Sequence, residues 1–167
     1  MYLKLIGACL TIAGTGTLGF YVGNRYLKRV QDLEKLITIL NEIKTEMRYR
    51  ATPLPEILEK IVKSSDSQVN ALFNLKEQNL SVNASLIKAI ETGFPKTALQ
   101  KREQELLYSF AQKVGTTDIK DQENLFNYII EQLKLILTES RSEAEKNVKL
   151  VNYLGVLAGA FLVLLFF

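Results

Sequence analysis

With 167 residues, 47% of them apolar and 23% charged, the chain has the length of one domain and the composition of neither a disordered polymer nor a polytopic membrane protein. All 18 acidic residues and 20 of the 21 basic ones lie between Arg25 and Lys149, so two nearly uncharged ends flank a highly charged middle. The lack of His and Trp and the single Cys, Cys9, exclude an intramolecular disulfide, a zinc site and a His-based dyad; a net charge of +3, with Lys and Arg interleaved among Glu and Asp, excludes the basic stripe of a nucleic-acid binder.

The first element predicted is a membrane span over residues 1–24. The 20 uncharged residues from Leu5 to Asn24 reach about 30 Å as a helix, the thickness of a bilayer's hydrocarbon. A cleaved signal peptide is the other reading, but the apolar character continues well past Cys9 and exceeds an ordinary signal core. A second span is predicted over residues 150–167, ending in Phe161-Leu162-Val163-Leu164-Leu165-Phe166-Phe167. Arg25, Lys28 and Arg29 follow the first span, and Lys146 and Lys149 precede the second, which orients the middle toward the cytoplasm. Small residues recur every fourth position, at Gly7, Thr11, Thr15, Gly19 and Gly23 in the first span and at Gly155 and Gly159 in the second. In lipid such faces let helix backbones approach closely. Gly19 and Gly155 each stand six residues from a flanking cation, Arg25 or Lys149, so the spans are expected to touch there, within one chain or between two copies.

Residues 25–149 are expected to form an antiparallel bundle of about six helices, giving an all-α fold. Apolar residues at Tyr26, Val30, Leu33, Ile37, Leu40 and Met47, widened by Leu36, Ile39 and Ile43, mark a long first helix ending before Pro53. Thr52-Pro53 is the start signal of a second helix running to about Lys63. Ser64 to Ser67 separate it from a short third helix with Val69, Leu72, Phe73 and Leu75. A fourth opens at Ser81, carries Leu86, Ile87 and Ile90, and stops at Gly93 as a left-handed cap. The fifth runs from about Thr97 to Val114 and ends on Gly115 in the same way; its inward residues are Leu99, Leu106, Leu107, Phe110 and Val114. The last starts at Thr117 or Asp118. Neither Pro nor Gly interrupts it before Gly155, so a rod of about 45 to 50 residues would carry the chain into the bilayer.

No nucleophile with its base, no metal cluster and no glycine-rich phosphate loop is present, so neither catalytic residues, nor a cofactor, nor a metal is expected, and the chain is read as non-enzymatic. The pairs Glu103 with Glu105 and Asp118 with Asp121 read as solvated helix faces. Two clusters suit a protein partner. One is Glu42, Glu46, Arg48, Tyr49 and Arg50 before the Thr52-Pro53-Leu54-Pro55-Glu56 turn, because Arg and Tyr beside a rigid turn anchor interfaces. The other is Asp118, Asp121 and Gln122 after Gly115; helix capping explains Asp118 equally well.

Taken in order, three stretches resemble the stage III sporulation protein AB family of endospore-forming bacteria. They are Glu42-Ile43-Lys44-Thr45-Glu46-Met47-Arg48-Tyr49 leading into Thr52-Pro53-Leu54-Pro55-Glu56, then Val114-Gly115-Thr116-Thr117-Asp118 with Asp121-Gln122, and finally Lys149 to Tyr153 before Leu154-Gly155-Val156-Leu157. One departure is Ala158, where a second adjacent glycine is expected, which bears on the tightness of packing in the second span. The resemblance implies a platform in the mother-cell membrane around the forespore, part of a channel linking the two cells, with a soluble domain similar to the cytoplasmic domains of type II secretion and type IV pilus inner-membrane platforms. It implies docking of a cytoplasmic secretion-type ATPase, stage III sporulation protein AA, and contact with other membrane proteins of the channel. A different class of reading is an exported, membrane-anchored helical scaffold.

Overall fold

The three prolines fall at helix starts and turns, Pro53 and Pro55 at the start of the second helix and Pro95 in the 3₁₀ turn after the third. The computed structural model describes residues 2–50, 52–65, 67–75, 80–115 and 119–166, leaving aside the side chains of residues 2–6, 8, 9, 119 and 166. Five α-helices follow in order: α1 (Tyr2–Arg50), α2 (Leu54–Ser64), α3 (Val82–Gly93), α4 (Lys101–Lys113) and α5 (Ile119–Phe166), with 3₁₀ turns at Asn70–Phe73 and Phe94–Lys96. No strand occurs among the described residues, and the fold is all-α. The chain divides into two compact units, Met1–Val30 with Thr138–Phe167, and Gln31–Leu137. Residues 25–30 and 138–149, assigned by charge to the bundle, thus cluster with the terminal segments.

The expected third helix is a 3₁₀ turn of four residues, so the described residues hold five α-helices rather than six. Its apolar residues are still buried, Val69, Leu72 and Phe73 included. The turn is tied to the end of α2 by Asn70, whose buried Nδ2 donates to Ile61 O at 2.6 Å, and Asn74 then leaves in extended geometry. Gly93 is not a left-handed cap: its φ of −87° is right-handed and the chain tightens directly into the next 3₁₀ turn. It serves close approach instead, because a Cβ there would lie 3.0 Å from Leu72 Cδ2. Gly115 does adopt the left-handed region, at φ 78°.

Two helix starts differ from their sequence signals. Thr52 makes no cap; Pro53 takes that place, its carbonyl accepting from Glu56 N and Ile57 N. Helix α4 begins at Lys101 rather than Thr97, because Thr97 closes the preceding 3₁₀ turn, its Oγ1 donating to Phe94 O at 2.8 Å. Glu103 then accepts from Gln100 N at 2.8 Å, satisfying a backbone donor at the start of α4. It is fully buried and not the solvated carboxylate that the sequence suggests. Ser81 does cap α3, accepting from Ala84 N at 3.3 Å.

In the unit Gln31–Leu137 the core is built from one stripe of each helix. Leu33, Leu36, Leu40 and Ile43 of α1 are fully buried, with Ile37 and Met47 at the edge, so the stripe centres about one position away from the expected one. Helix α5 contributes Phe126, Ile129, Ile130, Leu133 and Ile136. Phe126 meets Phe110 of α4 edge to face, ring centroids 5.0 Å apart, an arrangement worth about 0.5–1.5 kcal/mol beyond burial. Two polar side chains close backbone ends within this core. Asp32 accepts from Ala98 N at 2.7 Å, and Asn83 Nδ2 donates to Ala111 O and Val114 O at 2.7 and 2.8 Å, satisfying carbonyls at the end of α4. Asn83→Ala leaves those carbonyls without this donor and is expected to lower the unfolding free energy of the full chain by about 1–3 kcal/mol, read by chemical denaturation in detergent.

Candidate interaction surfaces

The end of α1 and the start of α5 lie side by side in the unit Gln31–Leu137. Arg48 Nη1 reaches Glu123 Oε1 at 2.8 Å, although the two are 75 residues apart in sequence, and Lys44 donates to Asn127. Arg48 and Gln122, from the two clusters picked out in the sequence, line one small cavity of about 40 Å³ with Lys44, Met47, Glu123 and Phe126. The Arg48 guanidinium also lies 5.5 Å from the centre of the Tyr49 ring, within cation–π range. Tyr49 itself is 75% exposed, and the Arg50 side chain is 68% exposed. Asp118 lies outside the described residues, and Asp121 is exposed.

Glu46 plays a different part from its neighbours. Its Oε1 receives Lys60 Nζ of α2 at 2.7 Å and faces Arg50 Nη1 at 3.3 Å, and its side chain is only 14% exposed. The hydrogen bond from Lys60, helped by the charges of Arg50 and Lys60, holds the Glu46 carboxyl below the usual carboxylate range. This carboxylate staples the end of α1 to α2 and is not an open contact group. Glu42 is half-buried. Among the described residues at this end of the unit, Tyr49, Pro53, Pro55 and Glu56 are exposed, and Arg48 and Arg50 are exposed while paired with Glu123 and Glu46. Lys60 and Glu123, which complete the ion pairs, were not singled out in the sequence. Nothing local marks them, because each partner comes from another helix.

In the other unit α1 and α5 run antiparallel with their backbones nearly touching. A Cβ on Gly19 would lie 2.8 Å from Val151 O and 3.3 Å from Gly155 Cα; one on Gly155 would lie 2.9 Å from Thr15 O. Gly23 faces Asn152 Oδ1 and Val148, while Gly159 faces Ile12 and the Thr15 hydroxyl. All four glycines therefore stand at the seam. Ala158 is exposed, so the departure noted there points away from it. The threonine hydroxyls are satisfied within α1: Thr11 Oγ1 donates to Gly7 O at 2.9 Å and Thr15 Oγ1 to Thr11 O at 3.0 Å. Arg29, buried, bonds Glu143 Oε2 at 3.0 Å at the far end of the seam. The outer face is apolar and uncovered, with Leu10, Leu18, Phe20, Leu157 and Phe161 all more than half exposed and Leu164 83% exposed. Helix α5 carries a stretch long and apolar enough to cross a membrane. Among the described residues no three His, Cys, Asp or Glu side chains gather where a metal could be held.

Two outcomes follow from this geometry. Because the folded-state titration of Glu46 is depressed, its contribution to stability is fully present above the usual carboxylate pKa of about 4.3 and is lost as pH falls through the lowered value. Thermal melts of Glu46→Gln are thus expected to fall below those of the native chain at neutral pH and to converge with them in acid. For the seam, Gly16→Cys and Val156→Cys on a Cys9→Ser background should cross-link within one chain, since a Gly16 Cβ lies 3.9 Å from Val156 Cγ2. Adding Gly155→Leu, which overpacks the seam at about 1–3 kcal/mol, should abolish that cross-link.

Comparison with known proteins gives a consistent assignment. The chain matches the model of the family described as Stage III sporulation protein AB over residues 4–167. It is 29% identical over 168 residues to the stage III sporulation protein AB of Bacillus subtilis (strain 168), covering 98% of each chain. A solved structure of a stage III sporulation protein AB, 20% identical, superposes with a TM-score of 0.65 over 70% of this chain and 96% of its own, a likeness of fold. With the family's model matched almost from end to end, the chain belongs to the stage III sporulation protein AB family.

Proposed function

We propose that this sporulation protein is a two-span, non-enzymatic membrane platform whose bundle faces the cytoplasm and docks a secretion-type ATPase, stage III sporulation protein AA, as part of a channel between mother cell and forespore. The observation that carries the reading is the paired helices of the unit Met1–Val30 with Thr138–Phe167, closed backbone to backbone at Gly19 and Gly155 and uncovered on their apolar outer face. In water that face would be an aggregation liability; in lipid it costs nothing, and close backbone packing supplies the association that apolar burial cannot supply there. Cations flanking both apolar segments, Arg25 and Lys28 after the first and Lys146 and Lys149 before the second, favour a cytoplasmic bundle.

For the partner, the open group is Tyr49 with Arg50 beside the Pro53–Pro55 turn, at the junction of α1 and α2. Tyr and Arg are the side chains that most often dominate binding energy. Both α1 and α5 leave the bundle as unbroken helices. A push on the bundle would therefore reach the apolar segments without a loop to absorb it, and the chain would transmit movement and perform no chemistry.

One experiment covers partner and topology together. On a Cys9→Ser background, a Cys at Lys101, whose side chain is 88% exposed, should stay unlabelled by an impermeant maleimide in intact cells and become labelled after permeabilisation. Capture of the ATPase by the same full chain should weaken on the order of tenfold or more in Tyr49→Ala/Arg50→Ala with helix content unchanged. Labelling in intact cells would favour the exported scaffold, and undiminished capture would move the docking face elsewhere.

A further inference from the structure

We propose, resting on the two-span reading above, that a collar of cations at the inner border of the α1–α5 pair binds the phosphate headgroups of anionic phospholipids. Two contacts fix the register of the helices around this collar. On the apolar side a Cβ on Gly23 would lie 3.2 Å from Asn152 Oδ1 and 3.8 Å from Val148 Cα. On the other side Arg29 Nη1 bonds Glu143 Oε2 at 3.0 Å. The residues between these contacts occupy a slab about six residues deep on α1 and about nine on α5, or about 9 to 14 Å.

That slab holds Arg25 and Lys28 from α1 and Lys146 and Lys149 from α5, all four exposed, against two exposed carboxylates, Glu145 and, at its border, Glu143. Arg29 is buried and engaged with Glu143, so it is left out of the collar. The four cations sit on two helices, 118 or more residues apart in sequence across the pair, and the antiparallel seam brings them to one level. One turn toward the apolar ends stand Tyr21 and Tyr153, each 70% exposed. The register that sets Gly19 beside Gly155 and Gly23 beside Asn152 puts these two rings at one depth. Tyrosine settles at the headgroup level of a bilayer, apolar ring inward and hydroxyl outward. With that depth fixed by the rings, the cations one turn behind them meet the lipid phosphates. A soluble acidic peptide fits less well, because it would have to lie against the exposed Tyr and Leu of the spans.

The test uses the full chain reconstituted into phosphatidylcholine vesicles doped with phosphatidylglycerol, with either lipid carrying a spin label. The native chain should immobilise labelled phosphatidylglycerol about fivefold more than labelled phosphatidylcholine, the gain that even one cation gives at an anionic surface. The preference should vanish in Arg25→Gln/Lys28→Gln/Lys146→Gln/Lys149→Gln and persist in Arg25→Lys/Lys28→Arg/Lys146→Arg/Lys149→Arg. Equal immobilisation of the two lipids by the native chain, or a preference that survives neutralisation, would overturn the proposal. Loss of the preference in sodium phosphate but not in sodium chloride of matched ionic strength would reassign the collar to soluble phosphate and overturn the lipid assignment. Flotation of the vesicles separates the two readings: a chain that fails to float with them removes the two-span reading and the collar together, whereas flotation without lipid preference removes only the collar.

Discussion

Helices α1 and α5 must lie antiparallel at contact distance, and this constraint acts in both units by different physics. In the unit Met1–Val30 with Thr138–Phe167 the contact is backbone on backbone, with no room for even one added carbon at Gly19 or Gly155. In the unit Gln31–Leu137 the same two helices meet through Arg48 with Glu123 and Lys44 with Asn127, and both feed side chains into one apolar cluster, Leu33, Leu36, Leu40 and Ile43 from α1 and Phe126, Ile129, Leu133 and Ile136 from α5. Apolar burial drives association where water is the alternative; where lipid is the alternative that drive disappears and close van der Waals approach replaces it. On the proposed two-span reading, glycine in one unit and leucine or isoleucine in the other are two answers to one packing requirement.

Polar groups then specify what the apolar stripes leave open. Asp32, Glu103 and Asn83 each satisfy backbone atoms at loops or helix ends within the bundle, where a missing partner is expensive. The ion pairs near Arg48 are more exposed, and such pairs add little stability. Their effect is geometric: they set α1, α2 and the start of α5 against each other and leave Tyr49 and Arg50 facing outward. The clamp formed by Lys60, Glu46 and Arg50 keeps the turn beside Tyr49 in place.

Local signals were legible where a residue's own chemistry decides the backbone. Ser81 caps a helix because its hydroxyl reaches a free amide, and Gly115 turns the chain because it alone tolerates that φ without cost. They misled where a neighbour in space overrides them. Thr52 and Thr97 have capping chemistry, yet the prolines and the 3₁₀ turn shift both starts. Gly93 looks like a stop signal, but its lack of a side chain answers the approach of Leu72 rather than a backbone angle. The short apolar run after Ser67 buries the expected residues in a 3₁₀ turn, since four residues suffice to place Leu72 and Phe73 in the core.

The all-α class, the two apolar ends, the charged middle and the family were determined by the sequence alone, because each follows from composition, from a repeat of three or four residues, or from the order of short motifs along the chain. Which residues meet was decided only by the tertiary structure. Arg48 finds Glu123, Glu46 finds Lys60, Glu103 turns inward, and Gly19 faces Gly155. Pairings between residues far apart depend on the register of one helix against another. That register is a property of the packed whole, set by many small contacts at once, and no single stretch of sequence contains it.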